Sequence, residues 1–343
     1  MGKVDLKALS RWAAESFIKD AGLPAFRSRQ ILHWIYERYA RSLEEITELS
    51  KKLRNDLIES AYISNLALLD RMTSQDGTEK FLFGLEDGET IESVLIADAE
   101  RITLCISSQV GCAMGCVFCL TGKLGLKRNL GPHEIVDQVI SVNRLIQPRR
   151  ITNIVLMGMG EPLANFDNVV EALRRITGLM MISPRRVTLS TSGIVPKIAE
   201  LGQTGLKVNL AISLNATTDK VRDIIMPLNK IYPLKSLLAG CRKFPLQLTR
   251  MITFEYVMLK DINDSEADAK RLVRLLRGIP AKINLIAFNP YSDCEYERPD
   301  DIVVLRFQEI LAQANLTVII RKSKGQDILA ACGQLKAGYR RED

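Results

Sequence analysis

The chain has 343 residues, 47% of them hydrophobic and 25% charged, and a formal net charge of +7. This length fits one large domain with a small appendage, or two domains, and the composition is that of a globular protein. No stretch approaches the roughly 18 uninterrupted apolar residues of a membrane helix, and the N-terminus lacks an apolar signal core. Seven cysteines, an odd number, argue against a secreted disulfide scaffold. We therefore predict a cytoplasmic protein without a membrane partner, and the positive charge modestly favours a polyanionic one.

Residues 1–62 are predicted to form a small helical module. In the segment AFRSRQILHWIYERY, an apolar surface that includes Ile31, Leu32 and Ile35 lies beside charged positions. The segment SLEEITELSKKLRNDLI begins with Ser42 and Glu45 in a capping-box relation, which predicts that a helix starts there. The basic residues of the module either contact RNA or only surround a surface that packs against the main domain.

Residues 63–100 are predicted to form a β-hairpin extension. The runs KFLFGL and TIESVLI flank the turn EDG, which is a hairpin signal. Within the second run, Glu92 shares a strand face with Val94 and Ile96. A carboxylate with such neighbours either points outward at a strand edge or is held half-buried.

Residues 101–343 show the rhythm of a βα protein. Short apolar strands alternate with longer helical stretches roughly every 25 to 45 residues, which is typical of a parallel sheet that closes or half-closes into a barrel. Six strands are predicted: RITLCIS, NIVLMG, RVTLST, KVNLAISL, ITFEYVML and KINLIAF. A full eight-unit barrel would leave too little chain, so the fold class is α/β with a partial (β/α)6 barrel, whose chemistry is expected at the C-terminal ends of the strands.

Three cysteines, Cys112, Cys116 and Cys119, follow the first predicted barrel strand with C-x3-C-x2-C spacing. Soft thiolates this close together suit three irons of a 4Fe-4S cluster, and the fourth iron is then free to chelate S-adenosylmethionine. The alternative is a zinc site completed by Cys105 or another remote residue. Structural zinc sites usually come as paired knuckles, and the sequence has no second knuckle. His33 and His133 form no metal or triad pattern, so the cluster is favoured.

Polar and glycine residues end successive strands of the predicted barrel. Any one of them alone is more often a plain loop group, but strand ends of a barrel converge, and convergence is what a ligand site requires. These endings are therefore candidates for binding S-adenosylmethionine: Gly160, Glu161, Ser190, Ser213, Leu214, Asn215 and Asn289. The local sequence around Cys105 and Cys332 favours two buried small apolar residues instead.

Several motifs together resemble a known family. With GCAMGCVFC, MGMGEPL, STSG and ACGQL in this order, the chain resembles the RlmN/Cfr family of radical S-adenosylmethionine RNA methyltransferases from AFRSRQILHWIY to ILAACGQL. RlmN members methylate carbon 2 of an adenine in 23S rRNA, and some also modify tRNA, whereas Cfr methylates carbon 8. Pro162 and the residues inside GCAMGC are more similar to RlmN.

The resemblance implies roles that the residues alone do not. One S-adenosylmethionine would methylate the sulfur of Cys332, and a second, bound at the 4Fe-4S cluster, would yield a radical that takes a hydrogen from that methyl group. The methylene radical would then add to the adenine and form a covalent protein–RNA adduct. Glu92 would remove the ring proton, a role that suits a carboxylate in a partly apolar site. Cys105 would attack Cys332 and release the product with a disulfide.

The chain departs from the family at one position, since Asn215 stands where many members have histidine. Asparagine still donates and accepts hydrogen bonds but does not titrate. The implied partners are 23S rRNA, tRNA and an electron donor such as flavodoxin, and the protein is expected to be a monomer. The alternatives are a carbon 8 methyltransferase, an enzyme that activates another protein through a glycyl radical, and a non-catalytic RNA-binding protein stabilised by a structural zinc site.

Overall fold

The structure, a computed structural model, describes residues 2–291 and 294–336. Its helices are α1 (Arg11–Asp20), α2 (Phe26–Tyr36), α3 (Lys51–Ser60), α4 (Leu120–Lys123), α5 (Pro132–Leu145), α6 (Phe166–Gly178), α7 (Val195–Gln203), α8 (Asp219–Ile225), α9 (Leu234–Lys243), α10 (Glu266–Leu275) and α11 (Asp301–Gln313). Its strands are β1 (Val4–Asp5), β2 (Ala61–Tyr62), β3 (Ala67–Thr73), β4 (Glu79–Gly84), β5 (Thr90–Asp98), β6 (Arg101–Cys105), β7 (Gln109–Cys112), β8 (Gly125–Asn129), β9 (Asn153–Leu156), β10 (Val187–Thr191), β11 (Asn209–Ser213), β12 (Ile252–Met258), β13 (Ala281–Ala287) and β14 (Thr317–Ile320). No helix among these residues combines the length and the apolar composition needed to cross a membrane.

The N-terminal module contains the predicted helices α1 to α3, but one predicted start is wrong. Ser42 precedes only a 3-10 turn, Leu43–Glu45, and its side chain caps nothing. Helix α3 begins at Lys51, where the Ser50 hydroxyl accepts a hydrogen bond from the backbone N–H of Leu53 at 3.3 Å. The buried apolar residues of the intervening segment recur every third position, which suits tight turns and loop packing better than an α-helix: Leu43, Ile46 and Leu49.

The module docks on the outer helices of the main domain through buried polar contacts. Lys7 is fully buried, and its ammonium group lies 2.7 Å from a carboxylate oxygen of Asp137 on α5. The guanidinium group of Arg175 on α6 donates to the backbone carbonyl of Lys7 at 2.7 Å and to the Tyr36 hydroxyl at 3.2 Å. These contacts tie the chain before α1 to two helices that cover the sheet.

A sheet of ten strands, in the order β14-β13-β12-β11-β10-β9-β6-β5-β4-β3, forms the centre of the protein. All six predicted barrel strands are present and run parallel to one another, which confirms the α/β partial barrel. A seventh parallel strand, β14, extends the sheet beyond β13. The prediction missed it because TVII is only four residues long.

The predicted hairpin is confirmed as β4 and β5, which pair antiparallel with Glu79 opposite Leu95. It is not separate from the barrel, because β5 also pairs with β6, and a further strand, β3, lies outside β4. The hairpin therefore carries Glu92 on the same sheet as the barrel strands.

Candidate active site

A cavity of about 150 Å³ opens at the C-terminal ends of the parallel strands. The cysteine loop, the strand ends and the segment near Cys332 all contribute to its wall. Among the predicted site residues, the cavity is lined by Cys112, Cys116, Cys119, Gly160, Glu161, Ser190, Ser213, Asn215, Asn289 and Cys332. The structure thus brings together residues that are up to about two hundred positions apart in the chain, as the convergence of barrel strand ends predicts.

The cysteine loop lies between β7 and α4 and is held by backbone hydrogen bonds. The N–H of Val117 donates to the carbonyl of Ile225 at 3.1 Å, and the N–H of Cys119 donates to that of Cys116 at 3.1 Å. Burial raises the pKa of the Cys112 thiol to about 12 and also raises the pKa values of Cys116 and Cys119.

Three soft donors on one loop, facing a cavity whose walls are partly polar and mostly apolar, fit a 4Fe-4S cluster with an open iron. Burial that disfavours the thiolates is compensated when iron binds, since metal binding displaces the thiol protons. Within residues 2–291 and 294–336, no group of three or more His, Cys, Asp or Glu side chains has the geometry to hold a single metal ion.

Two glycines after β9 allow the backbone to approach the first barrel strand. A side chain at Gly158 would come within 2.7 Å of the carbonyl oxygen of Ile106, and one at Gly160 within 2.6 Å of Gln109. Gly160 also has a φ of +103°, which side chains rarely tolerate. This close approach brings Glu161 into the cavity wall.

Glu161 is 3% exposed, and its two oxygens are organised by neighbouring groups. One accepts from the N–H of Leu163 at 3.0 Å, and the other accepts from both the N–H and the hydroxyl of Ser192 at 2.7 Å. Burial raises the pKa of Glu161, and the bonds from Ser192 partly oppose that effect. A fixed carboxylate at the wall suits a cationic ligand group, but it also serves to join the ends of β9 and β10.

The remaining predicted ligand residues differ in how they face the cavity. Leu214 does not line it, because its side chain is fully buried in the core. Asn215 lines it with its side chain already engaged: its oxygen accepts from the N–H of Val257 at 2.9 Å, and its amide contacts the sulfur of Met226 at 3.2 Å. Asn289 accepts from the amide of Gln326 at 2.6 Å. Asn215 and Asn289 therefore also hold neighbouring segments together.

Arg222 on α8 is a buried cation that the sequence reasoning missed. Its guanidinium group is fully buried and donates to three backbone carbonyls, those of Ser192 at 2.7 Å, Leu214 at 3.0 Å and Ser213 at 3.1 Å. A fourth bond goes to the side chain of Asn229 at 3.0 Å. Burial lowers the pKa of Arg222 to about 10. Arg222 thus joins the ends of β10 and β11 beneath the cavity wall.

The segment that carries Cys332 is bound to the helix after the cysteine loop. The carbonyl of Gly333 accepts from the N–H of Leu120 at 2.7 Å, and the carbonyl of Leu335 accepts from the Thr121 hydroxyl at 2.7 Å. Cys105, at the end of β6, is buried and does not line the cavity. Burial raises its pKa to about 12, and the nearby charge of Cys332 adds to this. The two cysteines are therefore neighbours in the fold.

Glu92 is also outside the cavity wall but contacts the same C-terminal segment. One of its oxygens accepts from the N–H of Lys336 at 2.9 Å, and the other lies 3.2 Å from the ammonium group of Lys80. Glu92 is 6% exposed, so it is buried rather than pointing outward at an edge. Of the two alternatives from the sequence, the buried one is observed.

Two further charged residues that line the cavity, Glu255 on β12 and Arg321 after β14, had no sequence signal. Burial raises the pKa of Glu255, an effect that Arg321 opposes. The pKa of Arg321 is raised, chiefly by the charge of Cys332, with smaller effects from Glu255 and Cys105. Glu255 is one polar position of a strand and Arg321 one of several basic residues near the C-terminus, and only the fold brings them to one cavity.

The chain matches two family models: that of the radical SAM superfamily over residues 106–273, and that of the ribosomal RNA large subunit methyltransferase N-terminal domain over residues 4–63. It is 53% identical over 98% of its length to the dual-specificity RNA methyltransferase RlmN of Geotalea uraniireducens, covering 97% of that protein. It is 54% identical over 97% of its length to the protein of the same name from Pelobacter propionicus, covering 96% of that protein.

Among solved structures, the crystal structure of a radical SAM methyltransferase from Sphaerobacter thermophilus matches with a TM-score of 0.93 and 41% identity, over 98% of this chain and 100% of that one. This similarity extends over the helical module, the barrel and the cavity described above. The chain therefore belongs to the RlmN family within the radical SAM superfamily.

Proposed function

We propose that this protein methylates carbon 2 of an adenine in 23S rRNA, and also in tRNA, by way of a methyl group carried on Cys332. Membership of the RlmN family makes it a radical SAM enzyme, and a 4Fe-4S cluster and S-adenosylmethionine are its cofactors. The relatives named dual-specificity RNA methyltransferase support RNA as the substrate. The observation that carries the proposal is that Cys332 lines the same cavity as the three clustered cysteines, with Cys105 beside it.

Cys112, Cys116 and Cys119 would hold the cluster. The cavity residues predicted to bind S-adenosylmethionine are Gly160, Glu161, Ser190, Ser213, Asn215 and Asn289, whereas Leu214, which was predicted with them, lies outside the cavity wall. When bound, the two cofactors supply the methyl group and the one-electron chemistry that activates it. The chain itself supplies the site of attachment and the geometry, because an intramolecular carrier presents the methyl group at a fixed position.

The cysteine pair would act in sequence. The sulfur of Cys332 first becomes methylated, and its carbon later joins the adenine, so that enzyme and RNA are covalently linked. The sulfur of Cys105 then attacks the sulfur of Cys332, which forms a disulfide and releases the methylated base. A reductant must reopen that disulfide before another cycle. An apolar site for Cys105 suits this order, because a thiol that ionises reluctantly does not react before the adduct forms.

Glu92 would take the ring proton from the adduct. Its bond to the N–H of Lys336 supports this role, because it brings the carboxylate against the segment that carries Cys332. In the present arrangement Glu92 is paired with Lys80 and lies outside the cavity wall, so the carboxylate must reach the base once RNA enters. Residues 1–62 would contact RNA, which fits their match to the N-terminal domain of ribosomal RNA methyltransferases. A cytoplasmic monomer that receives electrons from a donor such as flavodoxin completes the proposal.

The direct test is to incubate anaerobically purified protein with S-adenosylmethionine, a reductant and protein-free 23S rRNA or tRNA. Digested RNA is then compared by mass spectrometry with 2-methyladenosine and 8-methyladenosine standards. We expect 2-methyladenosine. A carbon 8 product would keep the carrier mechanism and correct the position, whereas an iron-loaded protein that yields neither product with either RNA would contradict the proposal.

The carrier mechanism is tested separately by two cysteine variants. Cys332→Ala should abolish methylation and leave the protein without the mass of an added methyl group. Cys105→Ala should instead accumulate a covalent RNA adduct, because nothing opens the bond between Cys332 and the base. Cys241→Ala is the matched control, since Cys241 is a buried cysteine on α9 that does not line the cavity. Normal turnover by Cys105→Ala would show that product release does not need the disulfide.

A further inference from the structure

Two charged side chains line the cavity and have hydrogen-bond acceptors or donors that no other group among the described residues satisfies. Glu255 is 5% exposed, and one of its oxygens accepts from the amide of Asn284 at 2.9 Å. Its other oxygen is buried and has no hydrogen-bond partner within residues 2–291 and 294–336. A buried charged oxygen without a donor is strongly disfavoured, so such a group in a cavity wall indicates that a ligand supplies the donor.

The other unpartnered buried atoms are of a different kind. They are the indole nitrogen of Trp34 and the hydroxyl of Ser141, both neutral and neither in the cavity wall. A neutral group left unpaired costs less than a charged one. Among the unpartnered buried atoms of the described residues, only the oxygen of Glu255 therefore combines charge with a position at the cavity.

Arg321 offers the complementary donors. Its guanidinium group makes one side-chain hydrogen bond, to the sulfur of Met157 at 3.8 Å, and sulfur is a weak acceptor. It forms no ion pair within 4.0 Å in the part of the chain that the structure describes. A guanidinium group carries five N–H donors, so most of the donors of Arg321 are available to a ligand.

The register of the sheet fixes how these two groups are arranged. Glu255 on β12 is opposite Asn284 on β13, which is opposite Ile319 on β14, and Arg321 follows two residues later. Neighbouring strands are about 4.8 Å apart, so the two backbones are separated by roughly 10 Å. Two long side chains that start from there and face one cavity can contact adjacent atoms of a planar base.

We infer that Glu255 and Arg321 recognise the RNA adenine that becomes methylated. Glu255 accepts a hydrogen bond from its exocyclic amine, and Arg321 donates one to a ring nitrogen. Adenine presents an amine donor beside a ring-nitrogen acceptor, which matches this pair. Guanine carries a carbonyl where adenine carries the amine, and that oxygen would face the carboxylate. The inference rests on the proposed function and adds to it a source of base selectivity.

The neighbours of the pair favour the acceptor base over the purine of S-adenosylmethionine. Met157, whose sulfur contacts Arg321, also provides the backbone group that hydrogen-bonds Cys105. In the proposed mechanism, the carbon carried by Cys332 joins the base, and Cys105 must reach the sulfur of Cys332. The base that meets the carrier pair is the RNA adenine, whereas the cofactor belongs next to the cysteine loop.

The test compares RNA that carries adenosine at the target position with RNA that carries purine riboside, which lacks the exocyclic amine. The two bases differ in intrinsic reactivity. We therefore take the rate ratio of adenosine RNA to purine riboside RNA in wild type and divide it by the same ratio in Glu255→Leu, which cancels the intrinsic difference. A hydrogen bond to a charged group corresponds to a discrimination of about 10- to 100-fold. We expect wild type to show this preference for adenosine and Glu255→Leu to lose it.

Arg321→Met is the companion variant. Wild type should methylate RNA more slowly when the target is an analogue that lacks the ring nitrogen bound by Arg321, either 1-deazaadenosine or 7-deazaadenosine. Arg321→Met should lose this difference. The analogue for which the difference is lost identifies the nitrogen that Arg321 contacts. Glu255→Gln keeps the shape and one acceptor, so it should retain part of the preference and covers the case in which Glu255→Leu fails to fold. Glu200→Gln, an exposed carboxylate on α7, is the matched control and should retain full discrimination.

Two readouts separate this inference from the proposed function. Methylation of Cys332 by S-adenosylmethionine without RNA, measured as intact mass, should occur in wild type and in the Glu200→Gln control. If wild type gains no methyl group, the proposed function fails. If wild type gains it but Glu255→Leu discriminates as wild type does, the inference is overturned. It is also overturned if Glu255→Leu instead weakens binding of S-adenosylmethionine about 10-fold or more, because the pair would then hold the purine of the cofactor.

Discussion

Two clusters of buried charge in this protein differ in how completely they are paired. Where the N-terminal module docks, the ammonium group of Lys7 contacts Asp137 and the carbonyl of Ser64, and the second oxygen of Asp137 accepts from the N–H of Leu66 at 2.6 Å. At the cavity, Glu255 keeps one oxygen without a partner among residues 2–291 and 294–336. The first cluster is complete without any other molecule, and the second is not. Completeness of pairing therefore separates buried charges that serve the fold from those that await a ligand.

The largest effect on stability is expected at the complete cluster. Asp137→Ala leaves the Lys7 ammonium group buried without its partner, and breaking a buried pair in this way costs about 3–5 kcal/mol. Denaturant unfolding should show this as a lower midpoint. The double variant Lys7→Met with Asp137→Leu removes both charges and should recover most of the loss. An equal loss in the double variant would mean that packing, not the unpaired charge, is responsible.

An intermediate effect is expected at Arg222, which is fully paired but lies next to the cavity. Arg222→Met removes a donor from three carbonyls, of which that of Leu214 still accepts from the N–H of Ala216 at 2.8 Å. An unsatisfied buried group costs about 1–3 kcal/mol. Because those carbonyls belong to the ends of β10 and β11, the KM for S-adenosylmethionine should also rise. Steady-state kinetics on iron-loaded enzyme measures this. A lower unfolding midpoint with an unchanged KM would restrict Arg222 to a purely structural role.

The smallest effect on stability is expected at the incomplete cluster. Glu255→Leu removes one oxygen that has no partner in the described part of the chain and one that accepts from Asn284, so the free energy of unfolding should change by no more than about 1 kcal/mol in either direction. Methylation of adenosine should fall in the same variant. Stability that is retained while function decreases is the behaviour of a ligand site, whereas a large loss of stability would indicate that Glu255 is paired in solution.

The sequence predicted the parts of the site that have a local pattern. Cys112, Cys116 and Cys119 are recognisable from spacing, and Glu161 follows a glycine pair directly after a strand. The six barrel strands were found from their apolar runs, but β14 was missed because four residues give too short a pattern. Ser42 was mistaken for a helix cap because the capping motif is local, whereas the burial of Leu43 that decides the turn depends on the rest of the fold.

Other parts of the site could not be found from local patterns. Cys105 and Cys332 both looked like small buried residues, and only similarity to a family assigned them a role. Glu255 looked like one polar position within ITFEYVML, and Arg321 like one of several basic residues after TVII. What distinguishes Glu255 is a missing partner, which is a property of the packed structure. Arg222 is similar, since its three carbonyl acceptors come from two different strand ends.

The bonds from Leu120 and Thr121 to the segment around Gly333 have a consequence for how the enzyme is assembled. Synthesis proceeds from the N-terminus, so the cysteine loop leaves the ribosome about two hundred residues before the segment that closes over it. Iron and sulfide can therefore reach the three thiols while that side of the cavity is still open. The segment that carries Cys332 can complete this side of the cavity only after it has itself been synthesised. The order of the chain therefore leaves an interval in which the three thiols are accessible from that side.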